Sequence, residues 1–422
     1  NCKVLNIKDT PFSGAQHGVA IYSYNDDATA RTINILNNEI SGFQKNAMAL
    51  NASDTNPLTV NVDGNTVTGY GATNITAQNG IQVLGDIVTG TIQNNILSGI
   101  GYSGASWVAT TILNYYSDVN IVSNTVTNGH VGIYNIDGTA NIINNNITAQ
   151  KIGDYGYGIV ASDPPLAVPS PFDRPQGENK AKNGPEALTS VLLNGNTVTF
   201  SGPDNTFTYG IEADAGYGPN DLSITATNNS VSGFGVGFGV YQCTSSCDVG
   251  VFNYLNFNNN NILANTLGFE TNLASPVLAE NNWWGTALEL QIQAMISGPV
   301  DYDPWIGKAE TVPVSQLTPT VYDFPSASVK MVFTTLPLNG GNVTVTRYNV
   351  APTPFPSGYT NVGMWLDITS TMPNYSFDVT ISVDVFGIAG FDASTIVMYK
   401  TSGGTWLAVP GGTYLASDPL FA

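Results

Sequence analysis

The sequence predicts an all-β protein: a parallel β-solenoid followed by a small antiparallel β-sandwich. Three observations carry that prediction. An asparagine-centred motif recurs from Asn38 to Asn282. Short runs alternate apolar and polar residues and are cut by Asn and Gly, the pattern of strands and tight turns. After about residue 327 the motif stops and the alternation continues.

The motif reads LNNEISG, DGNTVTG, QNNILSG, VSNTVTN, INNNITA, NGNTVTF, TNNSVSG, NNNNILA and ENNWWGT. Its aligned asparagines are Asn38, Asn65, Asn95, Asn124, Asn145, Asn196, Asn229, Asn260 and Asn282. Most spacings fall between about twenty and a little over thirty residues, the range of solenoid repeats. A second element follows in most units: NGIQV, VGIYN, YGIVA, YGIEA, VGFGV, LGFET. Units that repeat in the same order and direction cannot all pair as hairpins. Stacked coil on coil, each strand pairs in parallel with its counterpart one repeat later, and inward Val, Ile and Leu form one core. Asn tolerates left-handed turn geometry, and Asn stacked on Asn can hydrogen-bond along the axis as a ladder.

These repeats resemble the right-handed parallel β-helix proteins of the pectin-lyase-like fold, in particular repeat-bearing secreted and cell-surface proteins of bacteria and archaea. NNWWG followed by VDYDPWI is similar to the terminal coil of such β-helices. The resemblance covers residues 1–307. It implies the fold and leaves function open among lyases, glycoside hydrolases, epimerases, adhesins and structural proteins.

The remaining elements follow in chain order. Residues 161–187 are rich in Pro and charge, including Arg174, Lys180 and Lys182, and read as a long loop leaving one coil. In ENNWWGT, Trp284 aligns with the core positions Ile40, Val67, Val126 and Val231, and Trp283 with Glu39 and Thr66. Trp284 is therefore expected inside and Trp283 outside. Residues 287–296 form an amphipathic helix candidate that would cap the stack. Residues 308–326 read as a linker, and 327–422 as the β-sandwich, cut before its final strand. The chain does not begin with Met and shows no signal peptide, so it reads as a processed or trimmed fragment.

Composition narrows the partners. The 422 residues carry a net charge of −19 with only 12 cations, none between Asn183 and Gly307. Nucleic acid is excluded as a partner, because phosphate binding needs clustered Lys and Arg. No apolar run is long enough to cross a membrane. Cys243 and Cys247 are expected to form a small-loop disulfide in an oxidising compartment, with two reduced buried thiols as the alternative; Cys2 stands apart. A C-x3-C pair with only His17 and His130 elsewhere is a poor zinc site.

The candidate site lies in YGIEADAGYGPND. With Ile211 inward, Glu212 and Asp214 project from one face, roughly 6–7 Å apart along the strand. That is the separation two carboxylates need to flank a glycosidic bond. The aligned strands put Gln82, Tyr134, Val160, Gly239 and Glu270 at the Glu212 position, and Ile136, Ser162, Tyr241 and Asn272 at that of Asp214. Tyr134, Tyr241 and Glu270 would then line the face as ligand-binding residues. The competing reading is a pair of solvated surface acids. A polyuronate lyase would need a basic residue and a calcium site. There is no Arg or Lys between Asn183 and Gly307, and the earlier coils have only Arg31, Lys45 and Lys151 close to repeat strands; NGHVG around His130 only approaches a polygalacturonase motif. Asp301, Asp303 and Asp163 offer fragments of a calcium site and no complete metal centre, so no cofactor is expected beyond possible calcium.

The expected function is an extracellular protein, secreted or attached to the cell surface. Its solenoid face would bind a glycan or another surface protein, or associate with copies of itself, as an adhesin or structural protein. The alternative is a polysaccharide-active hydrolase or lyase using the face carboxylates.

Overall fold

A computed structural model of the chain describes residues 2–53, 56–104, 108–163, 188–216, 220–244, 247, 250–315, 321–327, 329–337, 339–348, 365–373, 378–383, 399–402 and 405–409. Two compact units emerge: residues 1–285 with 290–302, and 286–289 with 303–422.

The first unit is a parallel β-solenoid of three long sheets. Sheet 1 has nine strands and begins with Lys3–Leu5; sheets 2 and 3 have ten each and begin with Val19–Asn25 and Arg31–Leu36. Every pairing within them is parallel and joins consecutive coils, as Glu39↔Thr66 and Thr66↔Ile96 do in sheet 1. One inward position of sheet 1 is filled in succession by Ile40, Val67, Leu97, Val126, Ile147, Val198, Val231 and Ile262. All are buried, and each such side chain stabilises the fold by about 1.5–3 kcal/mol. Later coils widen the core with Phe238, Phe257 and Phe269, which pack edge-on and stacked.

The corner between sheets 3 and 1 divides its work between two residues. The aligned asparagines form the ladder: Asn65 Nδ2 donates to Asn95 Oδ1 at 2.9 Å, and Asn95 Nδ2 to Asn124 Oδ1 at 2.9 Å. The same oxygen also accepts the backbone N–H of the preceding rung, and the second amide hydrogen goes to a backbone carbonyl, as from Asn95 Nδ2 to Val62 O. The left-handed turn belongs to the residue before each rung. Asn37, Gly64, Asn94, Ser123, Asn144, Gly195, Asn228, Asn259 and Asn281 all have φ between 54° and 69°. This corrects the expectation that the aligned asparagine itself tolerates the turn, and it explains why the motif so often reads Asn-Asn or Gly-Asn.

Trp284 closes the sheet 1 column. Trp283 bridges Asn261 in parallel register, which puts Trp284 after Ile262, 1% exposed. Its ring fits because residue 268 is glycine: a Cβ there would stand 2.8 Å from the indole. The indole Nε1 finds no acceptor among the described residues. Trp283 is half-buried. The helix is shorter than expected, Glu289–Ala294, and buries Ile292. The chain then adds Ile296–Ser297 to sheet 2 and Val300–Asp301 to sheet 3.

The second unit contains small antiparallel sheets. Ala309–Val314 pairs with Gly341–Tyr348, which pairs with Trp365–Ser370. Tyr322–Phe324 pairs with Val329–Thr335, which pairs with Asp378–Val383. Val343, Val345 and Val314 from one sheet share a core with Phe324, Met331 and Phe333 from the other. The expected linker 308–326 is thus corrected: both its strands belong to these sheets. Pro313 obscured the first, and it is tolerated because Ala309–Val314 is an edge strand. Among the described residues no helix is long and apolar enough to cross a membrane.

Candidate functional site

Glu212 and Asp214 lie on Thr208–Ala215 in sheet 2. Ile211 pairs with Ile159 and Phe238 in the core, so the alternation turns both acids outward. The register brings the sequence-aligned residues into columns. Gln82, Leu113, Tyr134, Val160, Glu212, Gly239 and Glu270 follow one another in consecutive coils. Ile136, Ser162, Asp214 and Tyr241 form the second column, and Asn272 follows Thr271, the partner of Val240. Leu113 escaped the sequence alignment because its strand, TTILNY, lacks the glycine that marks the others.

Two features differ from the expected pair of solvated acids. Glu212 is only 8% exposed and Asp214 is half-buried. The carboxyl groups also hydrogen-bond to each other, closer than the roughly 5–9.5 Å window of glycoside hydrolases. Side chains two apart on a strand can lean together, which the backbone spacing does not reveal. Burial, the neighbouring Asp214 charge and the shared hydrogen bond push the Glu212 carboxyl well above the ordinary range. Asp214 is also raised, chiefly by burial, while its hydrogen bond with Glu212 works the other way. Burial and the neighbouring carboxyl both favour the protonated form of Glu212, because two adjacent buried carboxyls do not easily ionise together.

Tyrosines surround this pair. Tyr157 and Tyr209 are paired across the strands and stack at 5.3 Å. Tyr209 meets Tyr241 edge-on at 6.3 Å. Tyr241 lies back over Gly239, where a Cβ would stand 2.7 Å from its ring, and its hydroxyl donates to Glu270 Oε2 at 2.7 Å. Tyr134 approaches Ser162 Oγ at 3.4 Å. Burial raises all four phenols, Tyr209 to about 12; the nearby carboxylates add to the rise, and at Tyr134 the Ser162 contact opposes it. The strip continues outward from Tyr157 to Tyr155 and Phe207, 46% and 59% exposed. Sequence reasoning found Tyr134 and Tyr241 but missed Tyr157 and Tyr209. Their signal was the Tyr-Gly-Ile triplet repeated at 157–159 and 209–211.

The other predicted residues lie elsewhere. Arg31 pairs with Asp27 and Lys151 with Asp204. Lys45 donates to Ala77 O at 2.6 Å, and burial lowers its pKa to about 8. His130 is buried, with its pKa lowered to about 4; His17 contacts Asp9. Asp163 accepts the Gly216 N–H at 2.8 Å, and Asp303 pairs with Lys308. Cys243 and Cys247 form the disulfide, and Cys2 is free and exposed. From residue 164 onward the Pro-rich segment 161–187, with Arg174, Lys180 and Lys182, lies outside the described residues. Comparison with family models, with curated proteins and with solved structures gave no match to this chain.

Proposed function

We propose that the chain is an extracellular surface protein whose solenoid binds glycans on the outer face of sheet 2, and that it is kin to the pectin-lyase-like β-helix proteins. The observation that carries this reading is the strip of Phe207, Tyr155, Tyr157, Tyr209 and Tyr241 beside Glu212, Asp214 and Glu270. The exposed rings Tyr155 and Phe207 offer apolar surface for pyranose stacking, and the carboxyls and phenols beside them supply hydrogen bonds to sugar hydroxyls. The Cys243–Cys247 disulfide suits an oxidising compartment. A glycan array on the full chain, repeated with Tyr209→Ala, tests it. Binding that falls about tenfold or more in the variant supports the face. Array binding that the substitution leaves untouched moves the ligand elsewhere, and a binder only of surface protein or of its own copies would replace the glycan.

The adjacent, largely buried Glu212 and Asp214, whose carboxyls are both raised, favour a second reading, a polysaccharide-active enzyme. A carboxyl that keeps its proton near neutral pH can deliver it to a leaving oxygen. Turnover on a panel of polysaccharides that is lost in Glu212→Gln would support that reading. A panel with no turnover removes it.

A further inference from the structure

The outer face of sheet 1 carries a repeat of its own. Side chains two apart on its strands form two files that run along the solenoid. One file reads Thr68, Ser98, Thr127, Thr148, Thr199 and Ser232, a hydroxyl in six consecutive coils. The other reads Thr66, Ile96, Thr125, Asn146, Thr197 and Ser230. None of these side chains is buried. Within the files only Thr148 and Thr199 bond to each other, Oγ1 to Oγ1 at 3.3 Å. The chain has 31 acids to place, yet neither file holds a charged or an aromatic residue between Thr66 and Leu263. A strand face that met only bulk water would have no reason to exclude charge.

The spacing of the files is fixed from behind. Each residue of the second file follows a rung of the asparagine ladder, and its backbone N–H donates to the carbonyl of the rung one coil earlier, as Thr66 does to Asn38 and Thr125 to Asn95. From Thr66 to Ser230 these bonds are all 2.8–2.9 Å, although the chain between rungs varies from 21 to 51 residues. The side chains therefore repeat at about 4.8 Å from coil to coil and at about 6.7 Å along each strand. Both spacings are near the oxygen repeats along the a and c axes of hexagonal ice. Hydroxyls held in such an array can seat a first layer of water with little further ordering. A charged side chain would break that layer by orienting its own hydration shell.

We propose that the outer face of sheet 1 binds ice, its two files seating an ordered water layer that continues into the crystal. The occupant follows from what the face lacks as well as from what it repeats. A charged polymer would be met by charged side chains, and a crystalline polysaccharide by rings lying flat against its sugars; the files offer neither. A second copy of the chain would need a larger apolar area than this face has, where Ile96 is the one large apolar side chain that is well exposed in the files between Thr66 and Ser232. The proposal is independent of the glycan reading, which rests on sheet 2.

The test is slow growth of ice from a dilute solution of the full chain, with the protein measured in the ice and in the remaining liquid. Thermal hysteresis is read beside it on a single ice crystal under the microscope. The expected result is enrichment in the ice and a freezing point held below the melting point. Thr127→Tyr raises a ring through the middle of the hydroxyl file, so both signals should fall about tenfold or more while the thermal melt stays with the parent's. Tyr209→Ala, on sheet 2, should keep both signals. Thr199→Lys serves as the second variant if Thr127→Tyr does not melt like a folded chain. A chain excluded from the ice and without hysteresis overturns the proposal. Ice binding that survives both Thr127→Tyr and Thr199→Lys overturns the assignment to sheet 1. Retention on cellulose or chitin powder that is lost in Thr127→Tyr, with no ice binding, replaces ice by a polysaccharide lattice.

Discussion

The asparagine ladder and the Glu212–Asp214 pair bury polar side chains on the same coils, with opposite consequences. Each interior rung is an amide that both donates and accepts, so Asn95, Asn124 and Asn145 satisfy one another and the backbone at 2.8–3.0 Å. A neutral group with complementary neighbours can be buried at little cost. The acids have no such complement. Two carboxyls side by side offer only acceptors until a proton is trapped between them. The ladder spends its polarity on holding coils together; the pair keeps its polarity on the outer side of sheet 2, apart from the coil-to-coil bonding.

The comparison can be broken at four points, taken from the largest expected effect downward. Asn124→Ala removes the acceptor of both the Asn95 N–H and the Asn95 amide, and strands the Ile92 carbonyl. It should destabilise the solenoid by about 4–5 kcal/mol, since each buried orphan costs about 1–3 kcal/mol. A denaturation midpoint close to the parent's would mean that the ladder is ornamental. Trp284→Ala, at the closing end, should cost about 3–4 kcal/mol through the lost core volume. A thermal melt that does not move would contradict the reading of Trp284 as the residue that seals the column.

Glu212→Gln should act in the opposite direction. Both native carboxyls titrate above the unfolded value of about 4. Such groups contribute their full stability below that value, and the contribution is lost as pH rises through the raised native range. The variant should therefore gain about 1–2 kcal/mol over the parent at pH 8 and little at pH 4. Urea titrations at the two pH values read the difference directly, and a variant less stable at pH 8 would make the pair structural. The smallest effect belongs to Asn38→Ala. This first rung is half-buried; its side chain accepts the exposed Cys2 N–H and donates to Asn65 Oδ1, which keeps the Asn38 backbone N–H as a donor, so about 1 kcal/mol is expected. A loss as large as that of Asn124→Ala would show that water does not replace the partner at the edge.

The solenoid and the columns of its faces were legible because both depend on period and register. Once Asn196 and Asn229 are aligned, Glu212 must share a column with Gly239 and Glu270. Burial of the site was not legible. It depends on Tyr241 folding over Gly239 and on Glu212 leaning toward Asp214, and both are rotamer choices that no spacing encodes. The edge strand Ala309–Val314 was missed for the converse reason. Its Pro313 is a local signal against a strand that its position at the sheet edge overrides.

One contact sets a limit on what the fold can carry. Asn124 and Asn145 are 21 residues apart and Asn145 and Asn196 are 51 apart, yet their amide bonds are both 3.0 Å. The ladder counts coils and ignores the chain length between them. Axial rise is thereby uncoupled from sequence length, and loop-closure entropy grows only slowly with an insertion. The corner between sheets 2 and 3 at Asp163 is consequently a port, where material can be added or exchanged without resetting any rung above or below. Replacing residues 165–186 with a short glycine-serine link should leave the melting temperature within a few degrees of the parent. A chain that no longer folds would show that the segment belongs to the scaffold. If the port holds, new recognition loops can be grafted there, on the coil whose strand Gly156–Ser162 carries Tyr157.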